Sequence, residues 1–264
     1  MPPSVLITGG GTGIGAAVAR RMAQDGYDVC VAGRRIEPLS EVAGAIGGHA
    51  VAADVSRPDG AGAAVDACLA RWGRLDALVV SSGAGAAGAV LDQTLERWNR
   101  VIATNLTGAF LICRAALEHL LAARGAIVTV ASLAGLRADP ESAAYCSSKA
   151  GLIMLTQCIA LDYGASGVRA NCVCPGWIRT EMADAAMDEL AARRATDRSG
   201  AYELAAADVP ARRPGRAEEA AEAVAWLASP AASYVNGAVL NVDGGAAIVD
   251  AGTLAFGPSR RAAD

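Results

Sequence analysis

Ser4-Val5-Leu6-Ile7-Thr8-Gly9-Gly10-Gly11-Thr12-Gly13-Ile14-Gly15 reads as a short apolar strand running into a glycine turn that opens a helix. The helix shows in Ile14, Val18 and Met22, apolar residues at four-residue spacing. Strand, glycine turn and helix, in that order at the first βα junction, is the context in which glycines serve a dinucleotide. They let the backbone turn tightly and approach a pyrophosphate, which rests on the helix N-terminus. Two registers fit. Gly11-x-Gly13-x-x-Ala16 follows the common pattern, and Gly9-x-x-x-Gly13-x-Gly15 follows a longer turn that begins with Thr8. A bare flexible turn is the structural alternative, and placement at the first junction favours binding.

Working outward, apolar runs and helical patterns alternate to the end of the chain. Tyr27–Ala32 reads as the second strand and ends in Gly33-Arg34-Arg35. A carboxylate there would grip a ribose 2′-hydroxyl, whereas two arginines suit a 2′-phosphate or cap the loop. The third strand, His49–Val55, ends at Asp54, which either reaches an adenine or caps the next turn. Leu75–Val80 is the fourth strand, and Gly125–Ala131 the fifth, with Ser132 at its end. Val168–Val173 and Gly237–Val242 are the sixth and seventh. Between the fourth and fifth, Thr94–Ala123 is helical with a break near Thr104-Asn105. A polar Asn within an apolar helix is disfavoured unless its side chain is used. Phe110, Cys113, Leu117 and Leu120 stripe its second half, for core packing or a subunit contact. Residues 177–214 show no strand signal and only a broken helical pattern, which reads as a lid-like insertion in one domain spanning 1–264. Within it, Met182, Met187, Leu190 and Tyr202 suggest an apolar substrate wall. The last residues of the tail are expected to be loose. The fold class is α/β, a Rossmann-like doubly wound parallel sheet of about seven strands.

The chemistry centres on Tyr145-Cys146-Ser147-Ser148-Lys149. Lysine and arginine total 23, and Lys149 is the sole lysine. Four residues apart on a helix, Tyr145 and Lys149 share a face. An ammonium is a compact point charge where a guanidinium is a broad fork. A unit charge ~4 Å from a phenol is worth ~4 kcal/mol at an effective dielectric of ~20, about three pKa units. The plain alternative is a solvated Tyr/Lys pair. Ser132, beyond the carboxyl end of a strand, is placed to meet Tyr145. In the loop between them, Arg137, Asp139 and Glu141 either address a polar substrate or face water.

Composition narrows the class. The chain has 264 residues, 53% hydrophobic, enough for a full core. Its net charge is −4 with scattered basic residues, so no nucleic-acid partner is expected. Cys30, Cys68, Cys113, Cys146, Cys158, Cys172 and Cys174 read as reduced thiols of a cytoplasmic protein. Cys172-x-Cys174 lacks zinc spacing and a second pair, so no metal is expected. His49 and His119 lie far apart and suggest no histidine-based mechanism. Met1-Pro2-Pro3-Ser4 has no charged leader region, and no apolar run reads as long and unbroken enough for a membrane helix.

Thr8-Gly9-x-x-x-Gly13-Ile14-Gly15, Asp54, Asn105, Ser132, Tyr145-x-x-x-Lys149 and Pro175-Gly176 resemble the short-chain dehydrogenase/reductase family in order and spacing. Glu218-Glu219, Ala232-Ser233-Tyr234 and Asp243-Gly244-Gly245 resemble its C-terminal third. The resemblance implies a catalytic set of Asn105, Ser132, Tyr145 and Lys149. Tyr145 would be the general acid/base. Lys149 would hold the nicotinamide ribose and lower the phenol pKa. Ser132 would bind the carbonyl or alcohol oxygen, and Asn105 would hold a water linking Lys149 to solvent. Implied cofactor contacts are Gly9, Thr12, Gly13, Ile14 and Gly15 in the turn, Asp54 and Val55 toward adenine, and Gly83. Pro175, Gly176, Ile178 and Thr180 join Tyr145 and Lys149 as further contacts, with Thr180 on the carboxamide. Arg34, with Arg35, would take a 2′-phosphate. NADP(H) is favoured, and Thr12, where many NADP-using members carry a base, keeps NAD(H) open.

The implied activity is reversible hydride transfer between nicotinamide and a ketone or secondary alcohol, as in a 3-oxoacyl reductase type of ketoreductase. Alternatives are a polyol, sugar or other alcohol dehydrogenase, or a non-catalytic dinucleotide sensor. The partner is a small molecule, and a homo-oligomer (tetramer or dimer) is implied through Leu106–Leu121 and Tyr145–Tyr163. One departure stands out: the family's Asn-Asn-Ala-Gly after the fourth strand is Val80-Ser81-Ser82-Gly83 here. The glycine keeps room for a cofactor, but the asparagine bonds that brace the sheet are gone.

Overall fold

The computed structural model describes residues 1–85, 87–250 and 252–256. Its strands are β1 (Ser4–Thr8), β2 (Asp28–Gly33), β3 (His49–Ala52), β4 (Ala77–Val80), β5 (Ala126–Val130), β6 (Arg169–Pro175) and β7 (Val239–Val242). All pair in parallel, in the order β3-β2-β1-β4-β5-β6-β7. Each central strand is covered on both faces, which is why it reads as a continuous apolar run. Successive side chains of β1 divide between the two cores. Leu6 joins one with Cys68 of α3 (Pro58–Trp72), Ile112 of α5 (Gly108–Ala123) and Leu152 of α6 (Ala143–Tyr163). Val5 and Ile7 join the other with Met22 of α1 (Gly13–Gln24), Leu39 of α2 (Ile36–Ile46) and Val224 of α9 (Ala217–Ala228). The Rossmann-like doubly wound fold expected from the sequence is thus present as one seven-stranded sheet.

The chain winds outward from β1 through β2 to β3, then returns to lay β4 on the other side of β1. That reversal leaves a crevice beyond the carboxyl ends of β1 and β4, where such sheets take their ligands.

Several elements differ from expectation. The third strand stops at Ala52, because Asp54 turns the chain back on Ser56. The sixth runs on to Pro175, paired with Val242. The break near Thr104-Asn105 is a π turn, Ala103–Thr107, between α4 (Leu95–Ile102) and α5. Because that turn keeps the helical path continuous, Leu95–Ala123 is a 29-residue run long and apolar enough to cross a membrane. The sequence alone, read as broken there, suggested no such run. In the fold its Ile112, Cys113, Ala116 and Leu120 lie in the core.

Residues 177–214 are also more regular than they read. They hold α7 (Glu181–Arg194) and α8 (Arg198–Ala206). Ala183, Met187 and Ala191 of α7 pack on Ala201 and Tyr202 of α8 in a small separate core. Met187 and Tyr202 are therefore buried between the helices, with Leu190 packed against them, and do not form a substrate wall. The expectation for the end of the tail concerns residues 257–264, outside the described residues.

Candidate active site

Lys149 and Tyr145 lie one turn apart on α6, as their spacing requires. Two bonds hold α6 against β5. Thr129 and Thr156 join hydroxyls at 2.7 Å, and the Lys149 ammonium donates to the Val130 carbonyl at 2.8 Å. Ser132 stands in extended backbone just past β5. Its hydroxyl accepts from the Ala134 amide at 3.2 Å, capping a turn that packs on the α6 backbone where Gly135 admits no Cβ. Ser132, Tyr145 and Lys149 all line one cleft of about 690 Å³ at the carboxyl end of the sheet.

The opposite wall comes from the glycine turn and α7. Gly9, Thr12, Gly13, Ile14 and Gly83 line the cleft, as do Pro175, Gly176, Ile178 and Thr180. Gly9 and Gly13 have φ of 68° and 52°, a region that suits glycine. Gly15 faces away. A Cβ there would lie 2.3 Å from the Gly9 carbonyl, so its place is the close packing of α1 on the turn. Thr12 makes no side-chain capping bond and the first turn of α1 has no acidic residue, so the helix opens on uncapped amides. Bare turn, open helix end and buried cation together fit a dinucleotide with an anionic middle. Thr180, by contrast, is engaged as the N-cap of α7, accepting from Ala183 at 3.3 Å.

Electrostatics corrects one expectation. The Tyr145 phenol lies above its ordinary value, not below it. Burial raises the phenol above its ordinary value, the Ser132 hydroxyl pulls it back, and the nearby Asp139 charge pushes it up again. The ammonium is 5.7 Å from the ring centroid, so desolvation outweighs its pull. Lys149 is 4% exposed and its own pKa falls to about 8, chiefly through burial.

Other expected residues lie behind or beside the cleft. Asn105 is buried, and both ends of its amide are bonded. Its nitrogen donates to the Ala84 carbonyl and the Ser148 hydroxyl, each at 2.9 Å, and its oxygen accepts from the Ala84 amide at 2.7 Å. Asp54 accepts from the Ser56 amide at 3.1 Å and its hydroxyl at 2.7 Å, the capping alternative, and this holds its carboxyl below the usual range. Val55 is core. Arg34 and Arg35 follow β2 outside the cleft wall, and Arg35 meets Glu181 at 3.4 Å in an exposed pair.

Sequence reasoning passed over Trp177, Ser142, Glu181 and Glu189, which line the cleft. Of the three charged residues in the loop before Tyr145, Asp139 lines it. Arg137 donates to the Val249 carbonyl at 2.9 Å, and Glu141 pairs with Arg193 at 3.1 Å.

A family model described as enoyl-(acyl carrier protein) reductase matches residues 9–247. The chain belongs to the short-chain dehydrogenase/reductase family. It is similar to Protein MoaE of Klebsiella aerogenes, 42% identical over 256 residues that cover 96% of this chain and 98% of that protein. It is similar also to cis-4-hydroxycyclohexanecarboxylate dehydrogenase of Sinomonas cyclohexanicum, 41% identical, covering 91% and 94%. Among solved structures, an actinorhodin polyketide ketoreductase variant with NADPH superposes with a TM-score of 0.90 at 32% identity, covering 94% of this chain and 98% of that one. As a short-chain dehydrogenase/reductase, the chain is an oxidoreductase that uses a nicotinamide dinucleotide and a small-molecule substrate.

Proposed function

We propose that this oxidoreductase is a ketoreductase or secondary-alcohol dehydrogenase that prefers NADP(H), with Ser132, Tyr145 and Lys149 as its catalytic residues. The observation that carries this is their meeting in one cleft with the glycine turn and the uncapped start of α1. A nicotinamide bound there supplies or accepts the hydride. Tyr145 holds the proton. With its phenol kept protonated by burial, it donates to a carbonyl oxygen as charge develops there. The Ser132 oxygen already accepts from Ala134, which leaves its own O–H to donate to the same oxygen. Lys149 uses one N–H on Val130 and keeps two for ribose hydroxyls. Asn105 acts by fixing Ala84 and Ser148, and so the walls on either side of Lys149.

Arg34 and Arg35 support NADP(H), since Gly33 stands at the end of β2 where a carboxylate would repel a 2′-phosphate. Arg35 is held only by an exposed pair of the kind worth ~0–1 kcal/mol, so it is free to exchange partners. Residues 177–214, helical through α7 and α8, serve as the lid over the cleft. Seven free cysteines support a cytoplasmic setting. Phe110, Met154 and Leu161, exposed on α5 and α6, support a homo-oligomer.

The test follows NADPH and NADH absorbance against a panel of acyclic, cyclic and 3-oxoacyl ketones. Consumption with a lower KM for NADPH is expected. Cofactor binding with no consumption across the panel would return the chain to a sensor role, and an NADH preference would overturn the cofactor assignment.

A further inference from the structure

Among the described residues, one acidic group of the cleft has a carboxylate with no partner. Of the carboxylates that line it, Glu181 meets Arg35 and Glu189 meets Arg193 at 3.9 Å. Asp139 makes neither an ion pair nor a carboxylate hydrogen bond among the described residues. Its only bond is its backbone amide to the Cys146 sulfur at 3.4 Å. Among the described residues Lys149 is the only cation in the lining, and it is already bonded to the Val130 carbonyl.

The loop that presents Asp139 is held from several sides. Gly88 donates its amide to the Glu141 carbonyl at 2.8 Å, and Arg193 reaches the Glu141 carboxylate from α7. Arg137 ties its start to the Val249 carbonyl, and the Ser142 hydroxyl donates to the Pro140 carbonyl at 3.1 Å. Glu141 is in the left-handed region, φ 54°, where a non-glycine residue is strained. A braced loop thus sets an exposed carboxylate, unpartnered among the described residues, in the lining of the substrate space, close enough for its charge to be felt at Tyr145. Asp139 is exposed to the cleft, and the atoms that partly desolvate it raise its carboxyl, so it gains from a donor. The lining also offers apolar surface, in Leu133, Ala134, Trp177 and Met182, with Ser142 beside it.

We propose that Asp139 is a specificity-determining residue, and that the substrate is a small ketone or secondary alcohol with an apolar middle and a hydrogen-bond donor, hydroxyl or ammonium, at its far end. This rests on the ketoreductase reading and narrows its substrate class. Anionic far ends, including phosphate-bearing carriers, meet the wrong charge there.

The test titrates methyl ketones of about five to seven carbons, ended by methyl, hydroxyl, ammonium or carboxylate, against the full chain with excess NADP⁺. Ketones bind there without reacting, and binding is read by tryptophan fluorescence, since Trp177 lies in the wall. At one chain length the hydroxyl- or ammonium-ended ketone should bind about tenfold or more tighter than its methyl-ended match, and the carboxylate-ended one weaker. Asp139→Leu should close that gap to under about threefold, while Asp139→Asn loses the ammonium preference and keeps part of the hydroxyl preference. A wild-type gap under about threefold, or a gap that survives Asp139→Leu, overturns the assignment. Turnover with NADPH is measured separately on the same ketones. Donor preference without any turnover upholds Asp139 and removes the ketoreductase reading. Turnover without donor preference does the reverse.

Discussion

Lys149→Met should make the fold more stable at neutral pH while abolishing turnover. The ammonium is fully buried, has one hydrogen bond and no carboxylate partner among the described residues, and titrates near 8 where a free lysine titrates at 10.5. The shift of 10.5 − 8 = 2.5 units corresponds to ~3 kcal/mol. The folded-state pKa is depressed. Between about 8 and 10.5 the unfolded chain therefore binds the proton that the folded chain has lost, and stability rises with pH across that window. Below it the wild type carries the whole penalty. Methionine matches the stem length and removes the charge, but leaves the Val130 carbonyl without its donor, at a cost of ~1–2 kcal/mol. The net gain at about pH 7 is then ~1–2 kcal/mol, or ~2–8 °C in Tm for a chain of this size.

The gain should shrink by ~2 kcal/mol on going to about pH 9.5, where the wild-type lysine is mostly neutral. Urea unfolding of both proteins at these two pH values reads the difference, with the protein concentration held fixed against any subunit equilibrium. A variant less stable than wild type at neutral pH, or a difference flat with pH, would show that the ammonium is not paying a burial cost. It would also remove the reason for regarding Lys149 as held for function at the expense of the fold.

Tyr145→Phe keeps the ring and removes the proton, so kcat should fall ~10²–10⁴-fold while cofactor affinity, read by fluorescence titration, stays within about threefold; wild-type rates would remove the role. Arg34→Ala should raise KM for NADPH about tenfold or more and leave NADH nearly unchanged; equal effects on both would undo the phosphate assignment. Asn105→Ala strips the Ala84 amide, the Ala84 carbonyl and Ser148 of partners, at ~2–4 kcal/mol in urea unfolding. A loss well under ~1 kcal/mol would mean that the loop finds other partners.

The sheet was legible because its strands are buried on both faces, which forces apolar runs between polar or glycine ends. The α6 pair was legible because helical spacing alone puts Tyr145 and Lys149 on one face. The helices of the lid were not, because α7 packs through Ala183, Met187 and Ala191, and alanine gives little contrast between faces. Nor was the state of the phenol. A pair of charges can be read from spacing, but the desolvation that outweighs it depends on everything packed around Tyr145. Of the two readings of Asp54, the cap was legible in Ser56, two residues on in the sequence, and it takes one carboxylate oxygen. In the loop before Tyr145, residue type separated none of Arg137, Asp139 and Glu141. Only the path of the backbone decides which of them turns inward.

The departure at Val80-Ser81-Ser82-Gly83 and the break at Asn105 are two sides of one arrangement. The loop after β4 keeps its link to β1 through backbone and hydroxyl, Ser81 donating to the Thr8 carbonyl at 3.2 Å and Ser82 to the Thr8 hydroxyl at 3.4 Å. What holds its far end is Asn105, whose amide takes both the N–H and the C=O of Ala84. A regular α-helix gives an inward asparagine no reason to be there, and the π turn at Ala103–Thr107 sets Asn105 inward without ending the helix. The same amide reaches Ser148, whose hydroxyl donates to the Tyr145 carbonyl at 2.7 Å. One side chain thus couples the wall beside Gly83 to the helix that carries the proton donor. Serines in place of asparagines after β4 are tolerable because the bracing of that loop comes from the π turn packed behind it.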